Sequence, residues 1–195
     1  QNALRPKIDT AAMRVESLRA DSQRHVTQAG VFAQAATGAE QLVYAENELF
    51  KIAFTNKGGQ PKYVELKKFK SAIDNQNVKL ASTDFNKISY AINTSAAQSA
   101  QSSDLFFSNG KVEEGPKGSK VVTFQLTGGD STAATGAITH QFIIYPNDYQ
   151  IDFNINLNQP NLLTGGNMNL IWQYEAHQQE KDVEFEQQNT QVGYM

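Results

Sequence analysis

Apolar residues recur at every second position in several short runs after Gln41, which is the spacing of half-buried antiparallel strands. In "ELFKIAFT", Phe50, Ile52 and Phe54 share one face and Lys51 takes the other; in "KVVTFQLT", Val122, Phe124 and Leu126 oppose Thr123 and Gln125. The longest alternation is "YQIDFNINL", with Tyr149, Ile151, Phe153, Ile155 and Leu157 on one face and Gln150, Asp152, Asn154 and Asn156 on the other. "ITHQFIIY" joins it through Pro146-Asn147-Asp148, a fixed φ followed by turn-tolerant residues, so the two runs predict a hairpin. The pattern breaks at Pro160 and Gly165-Gly166 and resumes as a strand carrying Trp172.

Before Gln41 the pattern is different. Val, Leu and Met are too sparse among Ala, Gln, Arg and Ser for a continuous helical stripe, and the spacing predicts a short-lived helix over about 9–28 followed by a loose connection, read as a solvated tether rather than a partner-binding helix. Residues 1–40 are therefore expected to be a helical or flexible tether and 41–195 an all-β, antiparallel sandwich. "SAIDNQN", "NTSAAQSAQSSD" and "NGKVEEGPKGSK" read as polar loops between strands, and no fixed-period repeat suggests a propeller or solenoid.

Charge and composition narrow the function. A net charge of −3 gives no general electrostatic pull toward a phosphate backbone, so nucleic acid is not an expected partner. The chain has no cysteine, hence no disulfide, thiolate nucleophile or Cys-based zinc site. The longest aliphatic or aromatic run, Phe142 to Tyr145, is far short of the roughly 18–20 apolar residues that cross a bilayer. The start "QNALRPKIDT" has neither an initiator Met nor an apolar signal core, which suggests a piece of a longer precursor.

Candidate chemistry is thin. Gly58-Gly59 in "TNKGGQPK" lacks phosphate-loop spacing and is followed by a strand, so a turn is the expected use. His177 and Glu180 have a metal-compatible spacing without a third ligand, and read as a surface pair; His140, inside an alternating strand, reads as a hydrogen-bonding partner rather than a base. His25 lies in the tether region. Asp182, Glu184 and Glu186 fall on one face of a predicted strand with Val183 and Phe185 opposite, and a solvated face is favoured over Ca²⁺ or acid/base work. Trp172 reads as core rather than a sugar platform. No catalytic, cofactor-binding or metal-binding residue is assigned, the chain is not expected to be an enzyme, and no cofactor is expected.

Four pieces in order, "FTNKGGQPKYVELKKFKS", "LFFSNG", "THQFIIYPNDYQIDFNINL" and "LIWQYEAHQQEKDVEFEQQNTQVGYM", resemble the large periplasmic domain of the YidC family of bacterial membrane-protein insertases, in its Bacteroidetes type, from about Gln41 to the end. The family's strand, Gly-Gly turn and following strand correspond to Thr55, Asn56, Gly58, Gly59, Val64, Leu66, Lys67 and Phe69; its hairpin corresponds to Phe142 through Phe153, with Asn147 where glycine is common. The resemblance implies a super-sandwich fold, a transmembrane helix before the tether and a chain continuing beyond this piece. It also implies a location on the periplasmic face of the inner membrane. The implied partners are the Sec translocon with its accessory subunits and nascent membrane proteins. The implied role is assistance to their insertion and folding. The family fold is shared with sugar enzymes, so a carbohydrate-binding or aldose-epimerase-like sandwich is the alternative. A surface adhesin is disfavoured because the sequence shows no lipobox.

Overall fold

In a computed structural model describing residues 10–128, 138–191 and 193, helix α1 (Thr10–Ala29) leads into twelve strands and a short second helix, α2 (Val183–Asn189). The first nine residues of the expected tether, and Val192, Tyr194 and Met195 of the chain's "TQVGYM" end, lie outside the described residues. Among the described residues no helix is long and apolar enough to cross a membrane.

Two four-stranded antiparallel sheets face each other. The first runs β1 (Leu42–Glu46), β2 (Phe50–Thr55), β3 (Gln60–Lys70), β4 (Asn77–Leu80); the second runs β11 (Ile151–Leu157), β10 (Ile138–Ile144), β9 (Lys120–Leu126), β8 (Lys111–Glu114). Two-stranded ribbons flank them, β6 (Ala91–Ser95) with β7 (Gln98–Gln101), and β5 (Lys87–Ser89) with β12 (Ile171–Gln173). The expected all-β sandwich with an N-terminal helix is what forms. Phe50, Ile52 and Phe54 of β2 meet Val122, Phe124 and Leu126 of β9 and Ile138, Phe142 and Ile144 of β10, all fully buried. The two-residue period of the sequence thus becomes the inner faces of both sheets.

The hairpin between β10 and β11 is in register from Ile138↔Leu157 to Ile144↔Ile151, and Asn147 adopts φ +54° in its turn, a left-handed conformation that asparagine tolerates better than most residues. Asn47, in the turn between β1 and β2, ties that hairpin end to the other. Its side-chain amide donates to the carbonyls of Tyr145 and Asp148 (both 2.8 Å) and its Oδ1 accepts from the backbone N–H groups of Leu49 (2.9 Å) and Phe50 (3.0 Å). Both amide hydrogens and both lone pairs are used. Asn47→Ala is expected to lower stability by about 2 kcal/mol, and Asn47→Asp by at least as much, because a carboxylate oxygen would then face two carbonyls; urea melts of the pair check the order.

Gly58 (φ +78°) and Gly59 (φ +54°) make the turn between β2 and β3, as the sequence expects. A Cβ on Gly59 would sit 3.0 Å from the Phe107 ring and 3.1 Å from Cβ of Phe124. Left-handed strain and crowding therefore add, and Gly59→Ala is expected to destabilise by roughly 2 kcal/mol, measured as a shifted denaturation midpoint with an unchanged slope.

Three sequence expectations are corrected. The "NTSAAQSAQSSD" and "NGKVEEGPKGSK" loops contain the β6–β7 hairpin and strand β8. Their small and charged residues hide the pattern, but Ile92 and Thr94 are buried and β8 only needs β9 as a partner. The connection after α1 is not loose: a 3-10 turn at Gly30–Ala36 buries Phe32 in the core, Phe106 N–H donates to the Ala35 carbonyl (2.7 Å), and Thr94 Oγ1 donates to the Gln28 carbonyl (2.5 Å). One buried phenylalanine is enough to dock it, while α1 from Met13 to Arg24 stays exposed. Finally, "DVEFEQQ" is helical rather than extended. Asp182 caps α2 by accepting from Phe185 N–H (3.0 Å), so local hydrogen bonding favours the helix.

Candidate functional site

The Gly58-Gly59 turn places its backbone against the only buried histidine. His140 Nδ1 lies 2.8 Å from the Gly59 carbonyl and Nε2 lies 2.7 Å from the Tyr90 hydroxyl. A carbonyl can only accept, so Nδ1 carries the proton and Nε2 accepts from Tyr90 O–H. Phe107 and Phe153 pack on the imidazole, with centroids at 4.5 and 5.2 Å. Burial outweighs the hydrogen bond to Gly59 and pushes His140 down to about 4, and burial likewise raises the Tyr90 phenol. At 2% exposure the imidazole is neutral and out of reach of a substrate. It is a hydrogen-bonding partner, as the sequence suggests, but its partners lie across the fold: its neighbours on the adjacent strands are Phe124 and Ile155.

The remaining candidates do not converge. His25 is exposed on α1, and His177 and Glu180 are exposed in the segment before α2. No group of three or more His, Cys, Asp or Glu residues that could hold a metal ion occurs among the described residues. Two of the three clustered carboxylates serve their own backbone: Asp182 caps α2, and Glu186 accepts from the N–H groups of Gln179 (2.9 and 3.1 Å) and Glu180 (3.2 Å). Ala72 N–H donates to the Gln179 carbonyl (2.8 Å), which straps this segment to the chain just after β3.

Trp172 corrects a further expectation. It is 74% exposed, because β12 pairs only with β5 at the margin of the sandwich, where no second layer covers it. Leu170, Ile171 and Tyr174, its neighbours along the chain, and Phe85, just before β5, are exposed too. The residues that sequence reasoning missed are Tyr90, Asn47 and Phe85; each lies between strands, and only the tertiary pairing gives it a partner or a patch. Elsewhere, a groove of about 780 Å³ opens between the β6–β7 hairpin and the turns at 159–165, lined by uncharged residues including Thr94, Gln98, Gln159, Asn161 and Leu163.

Against known proteins, no family model matches this chain and no solved structure matches it significantly. Three curated proteins do, each named membrane protein insertase YidC. That of Parabacteroides distasonis is 26% identical over 182 residues, 92% of this chain and 27% of its own length. Those of Phocaeicola vulgatus and Chlorobium limicola are each 27% identical, covering 87% and 97% of this chain and 26% and 33% of the respective relative. The chain thus spans about a quarter to a third of the length of these relatives. The resemblance read from the sequence holds over most of the chain.

Proposed function

With likeness to the YidC insertases as the premise, we propose that this chain is the periplasmic, non-catalytic interaction domain of such an insertase, which assists insertion and folding of inner-membrane proteins. The exposed helix at the start of the chain forms the tether after a transmembrane helix, and the sandwich, with the 30–36 turn packed into its core, forms the domain that meets Sec translocon subunits or extended client segments. The carrying observation is the collinear similarity to three insertases over 87–97% of the chain. The inaccessibility of His140 supports a role without chemistry in the sandwich. Photo-crosslinkers placed at exposed positions of the domain in the parent protein test this: adducts with translocon subunits or nascent inner-membrane proteins are expected, and adducts with neither would overturn it.

The carbohydrate-binding or epimerase-like alternative is favoured by one observation, the exposure of Trp172, since sugar sites use aromatic platforms. Glycan binding lost in Trp172→Ala, or sugar turnover lost in His177→Gln, would establish that reading instead.

A further inference from the structure

We propose that Asn109-Gly110, at the entry to β8, is a self-modification site, where the chain converts its own asparagine to aspartate and isoaspartate by deamidation. It is the only Asn-Gly pair in the sequence, and every other asparagine is followed by a residue with a Cβ. Asparagine is among the thermally labile residues. Its side chain is short enough to reach the backbone nitrogen of the next residue, and glycine offers no Cβ to block that approach. The structure leaves both reacting groups free. Asn109 is exposed, and among the described residues nothing hydrogen-bonds to its side chain or accepts from the Gly110 N–H. Asn56 shows the opposite arrangement: its Oδ1 accepts from Gln41 N–H (2.7 Å) and its Nδ2 donates to the Ala39 carbonyl (3.2 Å). Gly110 is half-buried and cannot be replaced cheaply, since a Cβ there would lie 2.5 Å from Cγ1 of Val43 on β1 and 2.7 Å from the Phe124 ring on β9. The packing of the two sheets therefore requires the residue that makes Asn109 labile.

The Gly110 nitrogen attacks Cγ of Asn109 and forms a C–N bond. The side-chain NH2 leaves as ammonia with the proton lost from that nitrogen, which closes a succinimide ring. Water then adds to one ring carbonyl and breaks its bond to nitrogen. Opening at the side-chain carbonyl gives aspartate; opening at the main-chain carbonyl gives isoaspartate, whose main chain runs through Cβ. Both products carry a new carboxylate, but only isoaspartate lengthens the backbone, by one methylene. The flanking residues are pinned. Ser108 N–H donates to the Gln125 carbonyl (2.7 Å), Ser108 Oγ accepts from Gln125 N–H (3.0 Å), and Lys111 stands opposite Thr123 in the β8–β9 pair. An extra backbone atom between 108 and 111 therefore acts as a bulge, shifting β8 against β9 or moving Gly110 away from Val43 and Phe124.

The test is ageing of the intact chain at mildly acidic and mildly alkaline pH, followed by peptide mapping in which electron-transfer fragmentation distinguishes isoaspartate. Exchange of NH2 for OH is expected at Asn109 several-fold faster than at any other asparagine, faster at alkaline pH, and within a few-fold of its rate in urea. Asn109→Gln, whose longer side chain closes a ring far more slowly, should stay unmodified at this position over the same period. Anion exchange then separates aged from fresh protein by the added charge. The isoaspartate fraction is expected to unfold at lower urea than fresh protein, while Asn109→Asp, which adds the charge without the methylene, keeps the original midpoint. An Asn109 rate no higher than that of the other asparagines, or one many-fold higher in urea than in the folded chain, would overturn the proposal. An isoaspartate fraction that melts like Asn109→Asp would overturn its structural consequence.

Discussion

Phe142→Ala will lower the stability of this sandwich by about 3–5 kcal/mol, the range for removing a buried aromatic ring. Phe142 is 1% exposed at the middle of β10, opposite Val122 on β9 and Phe153 on β11. Its ring stacks on Phe153 with centroids at 4.4 Å and an interplanar angle of 1°, and meets Phe54 of the opposite sheet at 4.8 Å. The side chain thus joins two strands of one sheet and both layers of the sandwich. Truncation leaves a cavity that the flanking β-sheets cannot collapse without breaking register. Domains of this size are stable by about 5–15 kcal/mol, so the variant is expected to lie near its unfolding midpoint in mild urea. Phe142→Leu, which refills most of the volume, should recover more than half the loss. A Phe142→Ala loss under about 1 kcal/mol would mean that the sheets do not pack through this ring.

His140 should set a pH-dependent part of the stability. Its folded value, about 4, lies below the ordinary 6.5, so the unfolded chain takes up the proton first as the pH falls. The contribution is fully present above about 6.5, declines from there to about 4, and is lost below; the gap corresponds to roughly 3 kcal/mol. Glu46 and Asp152 are held below their usual range, Glu46 first by its hydrogen bond with Lys67 and Asp152 first by that from Gln150, so their losses come at lower pH. Urea melts from pH 7.5 to 4 should therefore show a slope that His140→Leu abolishes. The same variant leaves the Tyr90 hydroxyl and the Gly59 carbonyl buried without their partner, and is expected to lose about 2–4 kcal/mol at neutral pH. Adding Tyr90→Phe removes one of those stranded groups, so the double variant should lose less than the sum of the singles. Strict additivity, or a slope that survives in His140→Leu, would refute the role assigned to this pair.

Much of the fold was legible because its strands bury one face. Phe50, Ile52 and Phe54, and likewise Val122, Phe124 and Leu126, alternate with polar residues since the sheet's pleat sends neighbours to opposite sides. The Gly58-Gly59 turn and Asn147 were legible for a different local reason: few residue types accept positive φ. The pieces that failed lacked either signal. Strands β6, β7 and β8 are built from small or charged residues, and their extended state is imposed by the strands beside them. At 182–186 a period-two pattern signalled a strand, but the Asp182 cap starts a helix there instead.

The candidate surfaces divide in the same way. Composition and motif spacing determined that the chain has no thiolate, no phosphate-loop spacing and a net charge of −3, and the order of four segments determined its likeness to YidC insertases. Whether an apolar residue is core or surface depends on which second layer covers it, and that is a property of the packed sheets. Phe124 and Trp172 both sit in apolar stretches; β9 lies inside the sandwich and β12 at its margin, so one is buried and the other stands in solvent. His140 was legible as a hydrogen-bonding residue, but only the fold chose its partners, bringing Gly59 and Tyr90, far away in sequence, to its two ring nitrogens.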